Sequence, residues 1–115
     1  MIEGWLDDQD SRTVAHIMAA LEVLGERGPS LGRPLVDVVK GSRFKNMKEL
    51  RPASPPGSEI RILFAFDPLR SAIMLLAGDK SKGGSGGAWS SWYKRAIPEA
   101  EKRYEKHLGE LEKQP

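Results

Sequence analysis

Cysteine is absent from the 115 residues. That excludes disulfides, thiolate nucleophiles and cysteine-built zinc sites in one step, and it suits a reducing compartment. Histidine is scarce, with only His16 and His107 present. Acid–base chemistry near neutral pH therefore has to come largely from other groups. No carboxylate pair at ligand spacing accompanies either histidine, so no metal or cofactor is expected and both read as surface or packing residues. No run approaches the ~18 apolar residues needed to cross a bilayer. The first ten residues carry Glu3, Asp7, Asp8 and Asp10 and no base. A signal peptide would be basic there, so the expected location is the cytoplasm, without membrane contact.

What is present is the composition of one folded domain, expected to span residues 1–115. Hydrophobic residues make up 39% and charged residues 30%, enough apolar surface for a single core. The net charge is only +2, but it is unevenly spread. From Arg33 to Lys82 ten basic residues face five acidic ones, a local excess of +5 that suits a face for a polyanion or an ordinary solvated surface.

Val14, Ile17, Met18, Leu21 and Leu24 recur at helical steps, predicting an amphipathic helix over Ser11–Arg27. Asp10 or Ser11 supplies its cap and Gly28-Pro29 its stop. A second short helix is expected over Leu35–Lys40, completing a helical hairpin. Met47–Arg51 reads as a strand ended by Pro52. Pro52, Pro55 and Pro56 make the next segment a turn. Glu59–Phe66 is a strong strand, turning at Asp67-Pro68 into Ser71–Ala77, which is apolar on both sides and hence expected at the centre of the sheet. A helix from Ser90 or Ser91 to Leu111 follows, kinked or divided at Pro98. The order predicts an α+β fold with an N-terminal helical hairpin packed on a small antiparallel sheet and a C-terminal helix, the helices sharing one face. The expected core is Val14, Ile17, Leu21, Leu24, Leu50, Ile62, Phe64, Ile73 and Leu75. The loop Gly78–Gly87 has five glycines but lacks the order of a P-loop, so nucleoside triphosphates are not expected.

Four blocks in this order resemble one family: Leu31-Gly32-Arg33-Pro34, Met47-Lys48-Glu49-Leu50-Arg51, Ile60-Arg61-Ile62-Leu63-Phe64 and Leu75-Leu76-Ala77-Gly78-Asp79-Lys80. Trp92-Tyr93-Lys94, Ile97-Pro98-Glu99-Ala100 and Arg103-Tyr104 close the pattern. The chain is similar to RelE/HigB-like toxins of type II toxin–antitoxin systems, in the RelE/ParE superfamily and its phage Gp49-like branch. Two departures stand out. The first strand usual in that family is short or missing here, which would leave an open sheet edge, and Gly83–Gly87 looks like an insertion.

The resemblance implies a metal-independent endoribonuclease that cuts messenger RNA on the ribosome, through attack of a ribose 2′-OH on the adjacent phosphate. It implies a partner antitoxin, of helix-turn-helix type, held in a toxin–antitoxin hetero-oligomer. It also assigns roles. Arg61 would bind the scissile phosphate, for which a planar guanidinium is suited. Lys80 would stabilise the transition state, and Tyr93 would stack on the substrate and assist proton transfer, with Trp89 and Trp92 as rivals for stacking and core packing as the plain alternative. Glu49 stands where RelE has a lysine, and with Arg51 beside it could be either a general base or half of a structural ion pair. Lys45, Lys48, Arg51 and Lys82 would contact RNA phosphates. Two other readings stay open: a non-catalytic module that binds antitoxin or RNA, and a ParE-like inhibitor of DNA gyrase.

Overall fold

The computed structural model describes residues 2–81 and 88–114, with side chains from 91 onward in the second stretch. Helix α1 (Glu3–Asp7) leads into α2 (Ser11–Arg27), then strands β1 (Val36–Val38), β2 (Met47–Leu50), β3 (Ile60–Phe66) and β4 (Ala72–Asp79), and finally α3 (Ala88–Glu112). The strands form one antiparallel sheet in the order β1-β2-β3-β4. The fold is α+β.

Helix α2 starts where the Asp10 carboxylate accepts the Thr13 N–H at 2.7 Å and ends at Gly28, whose φ of 59° lies in the left-handed region. Its inward row is Thr13, Ile17, Ala20 and Leu24. Met18, expected in that stripe, is instead 54% exposed, because one residue past Ile17 the helix has already turned about 100° away from the sheet.

The expected helix at 35–40 is a strand. A six-residue helix between Pro34 and Gly41 would be marginal on its own, whereas Val36, Asp37 and Val38 take ready bonds opposite Leu50, Glu49 and Lys48. The N-terminal helical pair is therefore α1 with α2. No first strand forms from residues 2–7; Ile2 is buried, and Trp5 and Leu6 pack on the core beside it.

The helices do not share a face. On one side α2 covers Val36, Leu50, Ile60, Ile62 and Phe64. On the other, Trp92, Ala96, Ala100 and Tyr104 of α3 recur every four residues and cover Met47, Leu63, Ala65 and Leu75. The central strand is accordingly β3, which is buried on both faces, and β4 is an edge among the described residues, which corrects its expected central place. Its two-sided apolarity comes from sitting between two helices. Of the expected core, Ile17, Leu24, Leu50, Ile62, Phe64 and Leu75 are buried, while Val14, Leu21 and Ile73 are half-buried.

Three details tie α3 to the sheet. Leu63 pairs with Leu76 but Phe64 pairs with Met74, leaving Leu75 as the extra residue of a β-bulge. The freed Leu75 carbonyl accepts from Arg103 at 2.7 Å. At the β3–β4 turn, Asp67 Oδ1 accepts the Leu69 and Ser71 N–H groups at 2.9 Å each, and its Oδ2 lies 2.8 Å from His107 Nε2. Helix α3 runs unbroken past Pro98; the proline is exposed, so the backbone bond it cannot make is lost on the solvent side. Among the described residues no helix is long and apolar enough to cross a membrane.

Candidate active site

The end of the sheet nearest the start of α3 gathers five of the residues singled out from the sequence: Glu49, Arg51, Arg61, Lys80 and Tyr93. Met47, Glu49 and Arg51 alternate onto the α3 side of β2, and Arg61 does the same on β3, opposite the Ile60, Ile62 and Phe64 row. Lys80 follows β4 directly, its N–H bonded to the Glu59 carbonyl at 3.0 Å. Tyr93 comes down from α3.

Glu49 is only 3% exposed, and a carboxylate so placed must be compensated. Its Oε1 accepts from Arg51 Nε at 2.8 Å and faces Arg51 Nη2 at 2.7 Å. Its Oε2 accepts from the Tyr93 hydroxyl at 2.6 Å. Arg51 reaches on to Asp37 at 3.2 Å, and Asp37 to Arg33 at 3.0 Å. A chain of alternating charge thus runs from the surface to the phenol. Burial, and then the hydrogen bond and charge of Glu49, push the Tyr93 pKa well up from its ordinary value. Tyr93 holds its proton firmly.

The cations sit differently. Arg61 is largely covered, donates from Nη1 to its neighbour's Ile60 carbonyl at 2.7 Å and comes within 3.8 Å of Glu59. Its Nε is buried with no hydrogen-bond partner among the described residues. Lys80 is 7% exposed, with its ammonium 5.8 Å from the centre of the Tyr93 ring. Burial, and next the charge of Arg61, push its pKa down. Two neighbouring cations in a dry place strain each other, and an anion between them relieves that.

Gly78 and Trp92 were not singled out for this role, yet they set the geometry. Gly78 pairs with Arg61 across the sheet. A Cβ on it would lie 2.8 Å from Trp92 Nε1, so only glycine lets α3 lie this close. The signal was a glycine inside a strand pattern. Trp92 is buried there, edge-on to Tyr93 at 5.0 Å, which makes it a packing residue and leaves Tyr93 as the described aromatic of the site.

The remaining candidates lie apart. Lys48 points to the α2 side, with Nζ 3.3 Å from the Pro29 carbonyl and 5.7 Å from the centre of the Phe66 ring. Lys45 is exposed before β2. Lys82 and the side chain of Trp89 lie outside the described residues. His107 serves the Asp67 turn, and His16 is half-buried in α2. Among the described residues no group of three or more His, Asp or Glu side chains is gathered for a metal ion.

Residues 4–105 match the family model of phage-derived Gp49-like proteins. The chain is 53% identical over 111 residues to the Mycobacterium tuberculosis protein named "Putative toxin HigB2", an alignment covering 96% of this chain and 53% of that protein, so it spans about half that relative's length. It is 49% identical over 107 residues to "Putative toxin HigB3" of the same organism, covering 93% of this chain and 87% of that one. No solved structure matches significantly. With nine-tenths of its described fold inside one family model and its relatives sharing about half of their aligned residues with it, the chain belongs to the phage-derived Gp49-like family, in its HigB-like group.

Proposed function

We propose that this chain is the toxin of a toxin–antitoxin pair and acts in the cytoplasm as a metal-independent endonuclease that cuts messenger RNA on the ribosome. The observation that carries the reading is the juxtaposition of a buried Lys80 and a largely covered Arg61 with a hydrogen-bonded Glu49–Tyr93 pair. Cleavage by a 2′-OH needs those components: charge for the phosphate, a base for the attacking hydroxyl and an acid for the leaving oxygen.

In this mechanism the scissile phosphate settles against Arg61 and Lys80. The ribose hydroxyl takes the place of the Tyr93 hydroxyl on Glu49 Oε2, and the carboxylate accepts its proton as the O2′–P bond forms. Tyr93 gives its proton to the departing 5′-oxygen as the P–O5′ bond breaks. The products are a 2′,3′-cyclic phosphate and a free 5′-hydroxyl. Proton return from Glu49 to Tyr93, along their 2.6 Å contact, restores the resting pair. Arg51 keeps Glu49 oriented throughout, which fits its firm hold on Oε1. Lys45 and Lys48 would meet RNA or ribosome phosphates away from the reacting bond.

Both names borne by the relatives are toxin names, which supports a partner antitoxin; in this proposal it is of helix-turn-helix type and encoded nearby. The test is inducible expression with mapping of mRNA 5′ ends, with and without translation. New 5′-hydroxyl ends inside reading frames, only while ribosomes move, are the expected result. Unchanged mRNA together with growth arrest and lost gyrase activity would replace this reading by gyrase inhibition. Antitoxin binding without arrest or cleavage would make the chain a binding module.

A further inference from the structure

A recess opens beside Tyr93 that Lys80 does not line. It is a cleft of about 620 Å³ between β1, the turn after it and α3. Glu49, Arg51 and Tyr93 form its inner end, so it continues from the candidate site, yet neither Arg61 nor Lys80 lines it. Its walls are Val38, Val39, Ile97 and Pro98. Val38 is 54% exposed. One exposed valine says little, but this one stands in a concavity among other apolar side chains.

The charges around the cleft are unequally engaged. Asp37 is held by Arg33 and Arg51. Glu101 accepts the Ser42 hydroxyl at 2.9 Å and the Arg43 N–H at 2.7 Å. Glu49 is saturated by Arg51 and Tyr93. Lys40 and Lys94 also line the cleft, are exposed, and have no ion-pair partner among the described residues. The cleft therefore offers apolar walls and unneutralised positive charge side by side. A nucleotide uses both, through the faces of its base and through its phosphate, and the volume lies in the range of small-ligand sites.

Resting on the nuclease reading, we infer that this cleft is a subsite for the nucleotide next to the cleaved phosphate. Its base lies between Val38 and the Ile97–Pro98 wall, and its outer phosphate meets Lys40 and Lys94. Val38, Ile97 and Pro98 grip a base by its faces rather than by its edge, so this contact itself does not select among the four bases.

The test uses a messenger RNA made uncleavable by one 2′-deoxy nucleotide at the cut position, with 4-thiouridine placed one nucleotide to either side, loaded on translating ribosomes with the full chain. Photocrosslinks from one flank should map to residues 38–41 or 94–98. Val38→Asp, a change on an exposed strand edge, and the double change Lys40→Glu with Lys94→Glu should each cut that yield about tenfold, equal to about 1.4 kcal/mol of binding. Crosslinks that map elsewhere, or yields that do not change in the variants, overturn the subsite. If these variants still cut ordinary mRNA at the wild-type rate while Arg61→Ala does not, the nuclease reading stands and the subsite falls. Absence of both cleavage and crosslinks in the wild type removes both. Loss of antitoxin co-purification in Val38→Asp with crosslinks intact assigns the cleft to a protein partner and overturns the inference.

Discussion

The Tyr93 hydroxyl donates to Glu49 Oε2 at 2.6 Å, joining α3 to β2 across 44 positions of sequence by one short, partly buried contact. Removing the donor leaves a buried carboxylate oxygen unsatisfied, which costs about 1–3 kcal/mol. Tyr93→Phe keeps the ring and should therefore lower folding stability by that amount. If Tyr93 also protonates the leaving oxygen, mRNA cleavage should fall by a further hundredfold or so. Urea denaturation beside cleavage in a reconstituted translation system separates the two effects; an active, destabilised Tyr93→Phe protein would make the contact purely structural.

Arg61→Ala should reduce cleavage by about a hundred- to a thousandfold, equal to about 3–4 kcal/mol of transition-state stabilisation. Antitoxin binding and circular dichroism should stay near wild type, because among the described residues Arg61 makes one short hydrogen bond, to its neighbour's Ile60 carbonyl. Lys80→Ala should cost less, since a lysine meets phosphate as a single point charge rather than a planar fork. Full growth inhibition by the Arg61→Ala protein would sink the mechanism.

Gly78→Ala should destabilise the chain by about 1–3 kcal/mol, as overpacking does. The new methyl would lie 2.8 Å from Trp92 Nε1, so α3 must shift. Shortening Trp92 to Leu in the same protein should recover part of the loss. Thermal melts of the two single changes and the double change give the coupling directly, and simple additivity would show that the two residues do not meet.

Asp67 carries a pH dependence. The hydrogen bond from His107 is the largest influence lowering its pKa, with the Ser71 and Leu69 N–H groups adding to it. A carboxyl lowered on folding adds stability above its unfolded pKa of about 4. That stability is lost as pH falls through the lower folded value. Wild-type chain should lose stability below about pH 4 more steeply than Asp67→Asn, measured by denaturant midpoints across that range. Parallel curves would remove Asp67 from the acid response.

Parts of this architecture were legible from residue order alone. The Ile17 and Leu24 row of α2, the alternation of β3 and the Asp67 turn each rest on neighbours within a few positions, where helix period, pleat and side-chain capping act. What was hidden depends on distant partners. Val36–Val38 is a strand only because Lys48–Leu50 offers it bonds, and local punctuation at Pro34 and Gly41 pointed to a helix. The Ser71–Ala77 run is apolar on both sides whether it lies between two strands or between two helices, so its edge position could not be read. In the site, Arg61, Lys80, Tyr93 and Glu49 were named by resemblance. The closed Arg33–Asp37–Arg51–Glu49–Tyr93 chain was not, since it joins β1, β2 and α3. The rivalry between base and ion pair at Glu49 takes a concrete form: its Oε1 is in the ion pair, and its Oε2 faces the phenol.

The extra residue at Leu75 fixes which way β4 delivers its charge. Up to that point even-numbered side chains, Ala72 and Met74, face α2. Past it the parity is reversed, so that Leu76 packs beneath α3 and Gly78 meets Trp92. Lys80 inherits the reversed parity and comes out beside Tyr93. In a strand of unbroken alternation the same lysine would emerge beneath α2, on the wrong side of the sheet from Arg61 and Glu49. One inserted residue, its loose carbonyl tied to Arg103, acts as a half-step in the pleat that puts both cations on a common side.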